Sequence, residues 1–338
     1  LLDYLKAGKY DLLILSGFNW GKHFKPETQQ AIMAEVKGGA GLILIEPDGF
    51  TAADELAPIA GIAKTRSMWA FSKWQRGEQS PLTAGLPWGT LPATRYMDYT
   101  KWPQGQVLAT LDKGQPLLVT NQFGEGRTAV LTYDTLTHDM SYRGYAGLIP
   151  IFSYRGGFLR DDYKSMTWDY WEPYYALLSR LSVWAAKRDT GVEVVSLEPL
   201  AQHDYGAQMV LPLRLQGGRG AYTVLAQFEN RFGKPVQEVK ATYQPGQGQV
   251  DLPVPPFLPA GLNTVNVIVK DKAGAHVAWA QTTVTATAPV SLKTLTPEKI
   301  TVIGTRPDRK GQLFDPAFAP TEPLKLTVAV NAVEPLSG

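Results

Sequence analysis

The sequence predicts an α/β domain of three layers, built on a parallel sheet, followed by an all-β sandwich. Two observations carry this. Residues 10–50 read as a buried strand, a loop, a helix, a Gly-Gly turn and a second buried strand, the order of a parallel pair joined by a right-handed crossover. Beyond Asp189-Thr190-Gly191 the apolar positions change to a period of two, which marks strands with one buried face.

Each element has a local cause. Asp11-Leu12-Leu13-Ile14-Leu15 is a short, nearly continuous apolar run, suited to a strand covered on both faces. Pro26 and Glu27 suit a helix first turn, where proline lacks only an orphan donor and a carboxylate meets the positive dipole end. Ile32, Met33 and Val36 give that helix an apolar stripe, and Gly38-Gly39 stops it. Leu42-Ile43-Leu44-Ile45 is the second buried strand. Pro116 to Thr120 and Thr128 to Tyr133 flank Gly124-Glu125-Gly126-Arg127, the turn of a hairpin. Residues 174–187 form an amphipathic helix, with Leu177, Leu178, Leu181 and Trp184 on one face, that closes a first domain of residues 1–189. Strands are then expected at 192–198, 208–215, 221–228, 235–241, 249–254, 263–270 and 275–286. Seven short strands with turn signals between them predict a sandwich of immunoglobulin or fibronectin type III kind over 190–289, with Tyr222 and Trp279 among its anchors. Residues 290–338 read as a linker and the start of a further β module, with strands at Lys299–Ile303 and Leu324–Val330.

Composition narrows the function classes. Of 338 residues, 44% are hydrophobic and 19% charged, which describes a globular chain. A net charge of +2 gives no reason to expect nucleic acid or an anionic membrane as partner. No apolar run reaches the roughly 18 residues of a membrane span. The chain has no cysteine, so disulfides, thiolate nucleophiles and Cys-ligated zinc are excluded. This fits a periplasmic, cell-envelope or extracellular protein. The first strand sits where an α/β domain has already used one, so the chain is expected to be N-terminally incomplete, a piece of a longer protein whose other domains are its partners.

Three segments carry a family resemblance: YDLLILSGF with its helix and Gly-Gly strand, SPLTAGLPW at 80–88, and PLLVTNQFGEGRTAVLTYD at 116–134. They resemble the class I glutamine amidotransferase-like domain, of flavodoxin-like three-layer type. The nearest likeness is to its catalytically inactive bacterial forms, such as the middle domain of some β-galactosidases. In active members the strand after the helix ends in a Gly-x-Cys-x-Gly elbow, whose small flanks let the nucleophile occupy a strained turn. Here that place reads Ile45-Glu46-Pro47-Asp48, without the thiol or both small neighbours. The family histidine belongs in the loop after the last strand. His138 is near, but Thr137-His138-Asp139-Met140-Ser141 does not match the motif. The resemblance therefore implies a fold without amidotransferase activity.

The candidate ligand-binding residues are Trp20, His23, Glu46, Asp48, His138, Tyr142, Trp168 and Trp171. Glu46 and Asp48 fall at the carboxyl end of a central strand, where open α/β sheets place ligands, and two carboxylates there suit acid–base work. Alternatively they are a polar strand end and a Pro47-Asp48-Gly49 turn. His23, Asp134, His138 and Asp139 are ligand types for a metal, but their spacing matches no metal motif, and no metal or cofactor is assigned. Gly124-Glu125-Gly126 precedes a strand, so it reads as a turn rather than a phosphate cradle.

Aromatics are unevenly spread. Residues 133–175 carry a third of them, and a second group comprises Trp69, Phe71, Trp74, Trp88, Tyr96, Tyr99 and Trp102. Such side chains either line a glycan or protein surface or form a small core under a long insertion. Residues 134–172 are expected to be an ordered excursion over the carboxyl edge of the sheet. These features together lead to a non-catalytic structural or interaction fragment of a larger bacterial envelope or secreted protein, associated with glycan processing. The alternative is a carbohydrate-binding or hydrolytic unit using carboxylates and aromatics at the strand ends.

Overall fold

A computed structural model describes residues 1–8, 10–49, 55–89, 91, 93–101, 104–135, 148, 150, 172–230, 233–288, 290–297, 301–302, 316–317 and 326–332. Helix α1 (Leu2–Ala7) leads to strand β1 (Leu12–Ser16), the single turn α2 (Trp20–His23), helix α3 (Pro26–Lys37) and strand β2 (Gly41–Ile45). Pro26 starts α3 and Glu27 sits in its first turn, while the Gly38 N–H closes the last turn on Ala34 O. Strands β1 and β2 are parallel, with Leu12 opposite Gly41 and Ser16 opposite Ile45. Next come α4 (Leu56–Ala60), β3 (Ile62–Ser72), β4 (Trp74–Arg76), β5 (Thr94–Lys101), β6 (Gln106–Leu111), β7 (Pro116–Phe123), β8 (Gly126–Leu131) and α5 (Glu172–Ala185).

The main sheet has the order β1-β2-β8-β7-β6-β4. It is mixed, which corrects the all-parallel expectation. Only β1, β2 and β8 run parallel; β7, β6 and β4 are antiparallel to their neighbours. Chain length explains the change, because the links before β7 and β8 are tight turns, whereas a parallel crossover needs a dozen residues or more.

All five residues of β2 are buried, and their alternation serves two cores. Leu42 and Leu44 pack with Ile32 and Val36 of α3 and with Leu56 and Ile59 of α4. Ile43 and Ile45 pack with Leu177, Leu181 and Ala185 of α5. Helices thus cover both faces. A Cβ on Gly41 would lie 2.5 Å from the Ala185 carbonyl, and one on Gly126 would lie 2.1 Å from Val36 O. Glycine is needed at both places for close backbone approach rather than for φ. Strands β3 and β5 pair with each other in a separate sheet.

The sandwich contains β9 (Val192–Leu197), β10 (Leu200–His203), β11 (Met209–Gly217), β12 (Tyr222–Asn230), β13 (Pro235–Tyr243), β14 (Gln249–Val254), β15 (Gly261–Lys270) and β16 (His276–Ala286). Sheet β10-β16-β15-β12-β13 faces sheet β14-β11-β9. Between them lie Val194, Leu213, Val224, Phe228, Tyr243, Leu252 and Val267. Tyr222 belongs to this core as expected, and its hydroxyl accepts the Arg219 N–H at 3.0 Å. Trp279 does not, being half-buried at the junction with the first sheet.

That junction is made by loop 80–88, α5 and β16. Gly85 O accepts the Gln281 N–H at 2.8 Å, and Thr190 Oγ1 donates to Val277 O at 2.7 Å. Gly85 has φ +62, and a Cβ there would meet Ala280 Cβ at 3.0 Å. Downstream, β17 (Val290–Pro297) pairs antiparallel with β20 (Leu326–Ala332), and β18 (Thr301–Val302) with β19 (Pro316–Ala317). The start of the expected linker is therefore a strand.

Candidate functional site

At the end of β2 the backbone turns through Glu46, which has φ +51 and is fully buried. A non-glycine residue in the left-handed region costs about 1–3 kcal/mol, so its surroundings must over-determine it. They do. The Glu46 N–H donates to Leu131 O at 2.9 Å, while its Oε2 accepts the Thr135 N–H at 2.7 Å and the Thr135 hydroxyl at 2.5 Å. The carboxylate thereby ties the end of β2 to the segment leaving β8.

Asp134 precedes that contact and is buried as well. Its N–H donates to Arg95 O at 2.9 Å, and its carboxyl pairs with the Arg95 guanidinium. Burial pushes the Asp134 carboxyl up to about 8, reinforced by the Glu46 charge and a hydrogen bond shared with Glu46, against the pull of Arg95. The two buried carboxyls are therefore harder to ionise together than two separate ones. Beneath them lies an aromatic wall: Tyr133 stacks on Trp74 with centroids 5.9 Å apart, and Tyr174 meets Trp74 edge-on at 5.1 Å. The Trp74 indole N–H donates to Thr94 Oγ1 at 2.8 Å. Burial, and then the Glu46 charge, hold the Tyr133 phenol un-ionised.

Asp48 lies apart from this pair, because the left-handed residue breaks the strand alternation. Its Oδ1 accepts the Gly49 N–H at 2.7 Å, its N–H donates to Phe18 O and its carbonyl accepts the Trp20 N–H. Asn19 caps α2 by accepting the Lys22 N–H at 3.0 Å, and its own N–H donates to Nδ1 of the exposed His23. A Cβ on Gly49, at φ +72, would fall 2.1 Å from Asn19 Oδ1. The Pro47-Asp48-Gly49 turn thus zips the β1 and β2 ends together.

Trp20, expected at a ligand site, is instead a core residue 3% exposed, packed against Phe18 and Phe24. This loop places Trp20, His23 and Asp48 together and leaves Glu46 with Asp134. His138, Tyr142, Trp168 and Trp171 lie outside the described residues, as does most of 134–172. In the second aromatic group, Trp74 and Tyr96 are core and Trp88 packs against the same cluster. Among the described residues no group of three or more His, Asp or Glu is disposed to hold a metal.

Sequence reasoning missed Arg95, Thr135 and Arg180. Arg180 had a signal, since it falls between Leu177 and Trp184 on the apolar stripe of α5. Arg95 and Thr135 gave none, for their roles depend on contacts many residues away.

No family model matches the chain, and no curated protein matches it. Solved structures similar to parts of it include an exo-beta-1,4-mannosidase, Op5Man5, from Opitutaceae bacterium strain TAV5. That likeness has 16% identity and a TM-score of 0.26, over 36% of this chain and 20% of that one. Another is a mutant alpha-2-macroglobulin of Salmonella, at 12% identity and TM-score 0.22, over 44% of this chain and 14% of that one. The chain spans a fifth or less of the length of these proteins. Likenesses at this level carry no argument about fold or function.

Proposed function

We propose that this chain is a non-catalytic structural or interaction part of a larger bacterial envelope or secreted protein. Its first region is read as an inactive glutamine amidotransferase-like domain, and residues 190–289 as an immunoglobulin-like module. The carrying observation is Glu46. It occupies the left-handed turn where an active relative would place its nucleophile, yet it is buried and engaged by both donors of Thr135. A carboxylate so held is a latch between strands, without the freedom to attack a substrate. The parallel pairing of β10 with β16, beside a β14-β11-β9 sheet, supports the immunoglobulin-like reading of the sandwich. Ammonia release from L-glutamine tests the first point: none is expected, and release abolished by Glu46→Gln would overturn the reading.

A further inference from the structure

The junction between the two sheet systems encloses a cleft of ≈ 320 Å³. That is at the lower end of small-molecule sites and suits one ring rather than a chain. Arg180 of α5 lines it and is 9% exposed. Its Nη1 donates to Leu82 O and Ala84 O, but Nε and Nη2 have no hydrogen-bond partner among the described residues. Among the described residues no carboxylate pairs with it. Burial lowers the guanidinium to about 10, so it stays charged at neutral pH. A buried charge without a counter-charge is costly, and the Nε–Nη2 side is the fork that grips a carboxylate with two parallel bonds.

The rest of the lining is chosen differently. Trp279 contributes an indole, Trp184 a second one with the Arg127 guanidinium 5.5 Å over its ring, and Glu193 and Thr120 contribute oxygen acceptors beside an Asp189 already paired with Arg127. Gln281 directs its N–H away from β15 to Gly85, so by strand alternation Trp279 presents its own N–H and C=O to the same side. Aromatic faces with scattered acceptors suit a ring bearing hydroxyls. Asp189 is paired with Arg127 at 3.6 Å, and Glu193 accepts from the Gln216 amide at 2.6 Å, so the cation without a counter-charge among the described residues is Arg180. A single carboxylate matches that one charge, whereas a phosphate or sulfate dianion exceeds it.

We propose that this cleft binds one acidic sugar, a hexuronate-type ring whose carboxylate pairs with Arg180 and whose ring lies against Trp184 and Trp279. The proposal stands independently of the latch role of Glu46. Calorimetric titration of the whole chain with D-glucuronate, D-glucose and inorganic sulfate tests it. Saturable binding of one glucuronate is expected, at least about tenfold weaker for glucose, because a site built for a charged group rejects the analogue lacking it. Arg180→Met keeps the apolar stem but removes the guanidinium, and should abolish the preference; Trp279→Ala should weaken glucuronate binding. Equal affinity for glucose and glucuronate overturns the proposal, as does sulfate competing as well as glucuronate, which would mark a simple anion hole. So does absence of binding at about 10 mM ligand, above the millimolar range of the weakest useful sites. Should Arg180→Met fail to fold, unchanged glucuronate affinity in Trp279→Ala is sufficient to reject it.

Discussion

Glu46 and Asp134 show how one backbone constraint arranges a buried polar pair. Left-handed φ at Glu46 turns its carboxylate toward the segment after β8, where Thr135 supplies two donors and Asp134 shares a hydrogen bond with it. Removing the acceptor strands a buried N–H and a hydroxyl. Glu46→Ala should therefore cost about 2–4 kcal/mol in urea unfolding, since hydrogen bonds to charged groups are worth roughly 1.5–3 kcal/mol and orphaned donors add to the loss. A cost within about 0.5 kcal/mol of wild type, the range of ordinary surface substitutions, would refute the latch. Asp134 gives a pH signature. Its folded value, about 8, lies above its unfolded value, so the native state binds the extra proton between them. The associated stability is complete below about pH 4 and is lost as pH rises toward about 8. Asp134→Asn cannot titrate, so its urea midpoint should fall less across that window than that of the wild type. Equal slopes would mean that Asp134 is ionised in the fold.

Elements whose cause is local were legible, and those whose cause is distant were not. The β1–α3–β2 unit could be read because proline, the apolar stripe and the Gly-Gly stop lie within a few residues of what they determine. The sandwich strands were legible through two-residue alternation, apart from β10, which is short and mostly exposed. Strands β3 and β5 escaped notice because each is made a strand by a partner some thirty residues away, with an irregular register. The mixed sheet was partly visible in the Gly124-Glu125 hairpin, but the antiparallel placement of β6 and β4 was not. In the candidate site only the carboxylates could be read; which carboxylate met which depended on the backbone at Glu46. Close packing between elements is testable at Gly126, where α3 presses its Val36 carbonyl onto the start of β8. Gly126→Ala should destabilise by about 1–3 kcal/mol despite alanine's lower chain entropy, because backbone must move to admit the methyl group. A neutral or stabilising effect would show that α3 can shift freely.

At the scale of the whole molecule, the two sheet systems share more than contact. Gly85 holds φ +62, which L side chains rarely adopt, and a Cβ there would press on Ala280 Cβ of the sandwich at 3.0 Å. Strand β10 accompanies β16 only from Val284 to Ala286. Along the earlier part of β16, on the side away from β15, the Gln281 N–H is taken by Gly85 and the Val277 carbonyl by Thr190. Loop 80–88 thus acts as an edge guard, covering a strand border that could otherwise recruit another chain. Expressed alone, residues 190–288 should retain the sandwich but associate with rising concentration in sedimentation, and Gln281→Pro, which removes the exposed donor, should suppress the association. Residues 1–189 added in trans should suppress it too. A lone sandwich that stays monomeric at high concentration would show that its border is protected from within. Otherwise the first region chaperones the second, keeping it a single copy by occupying the place that its own twin would take.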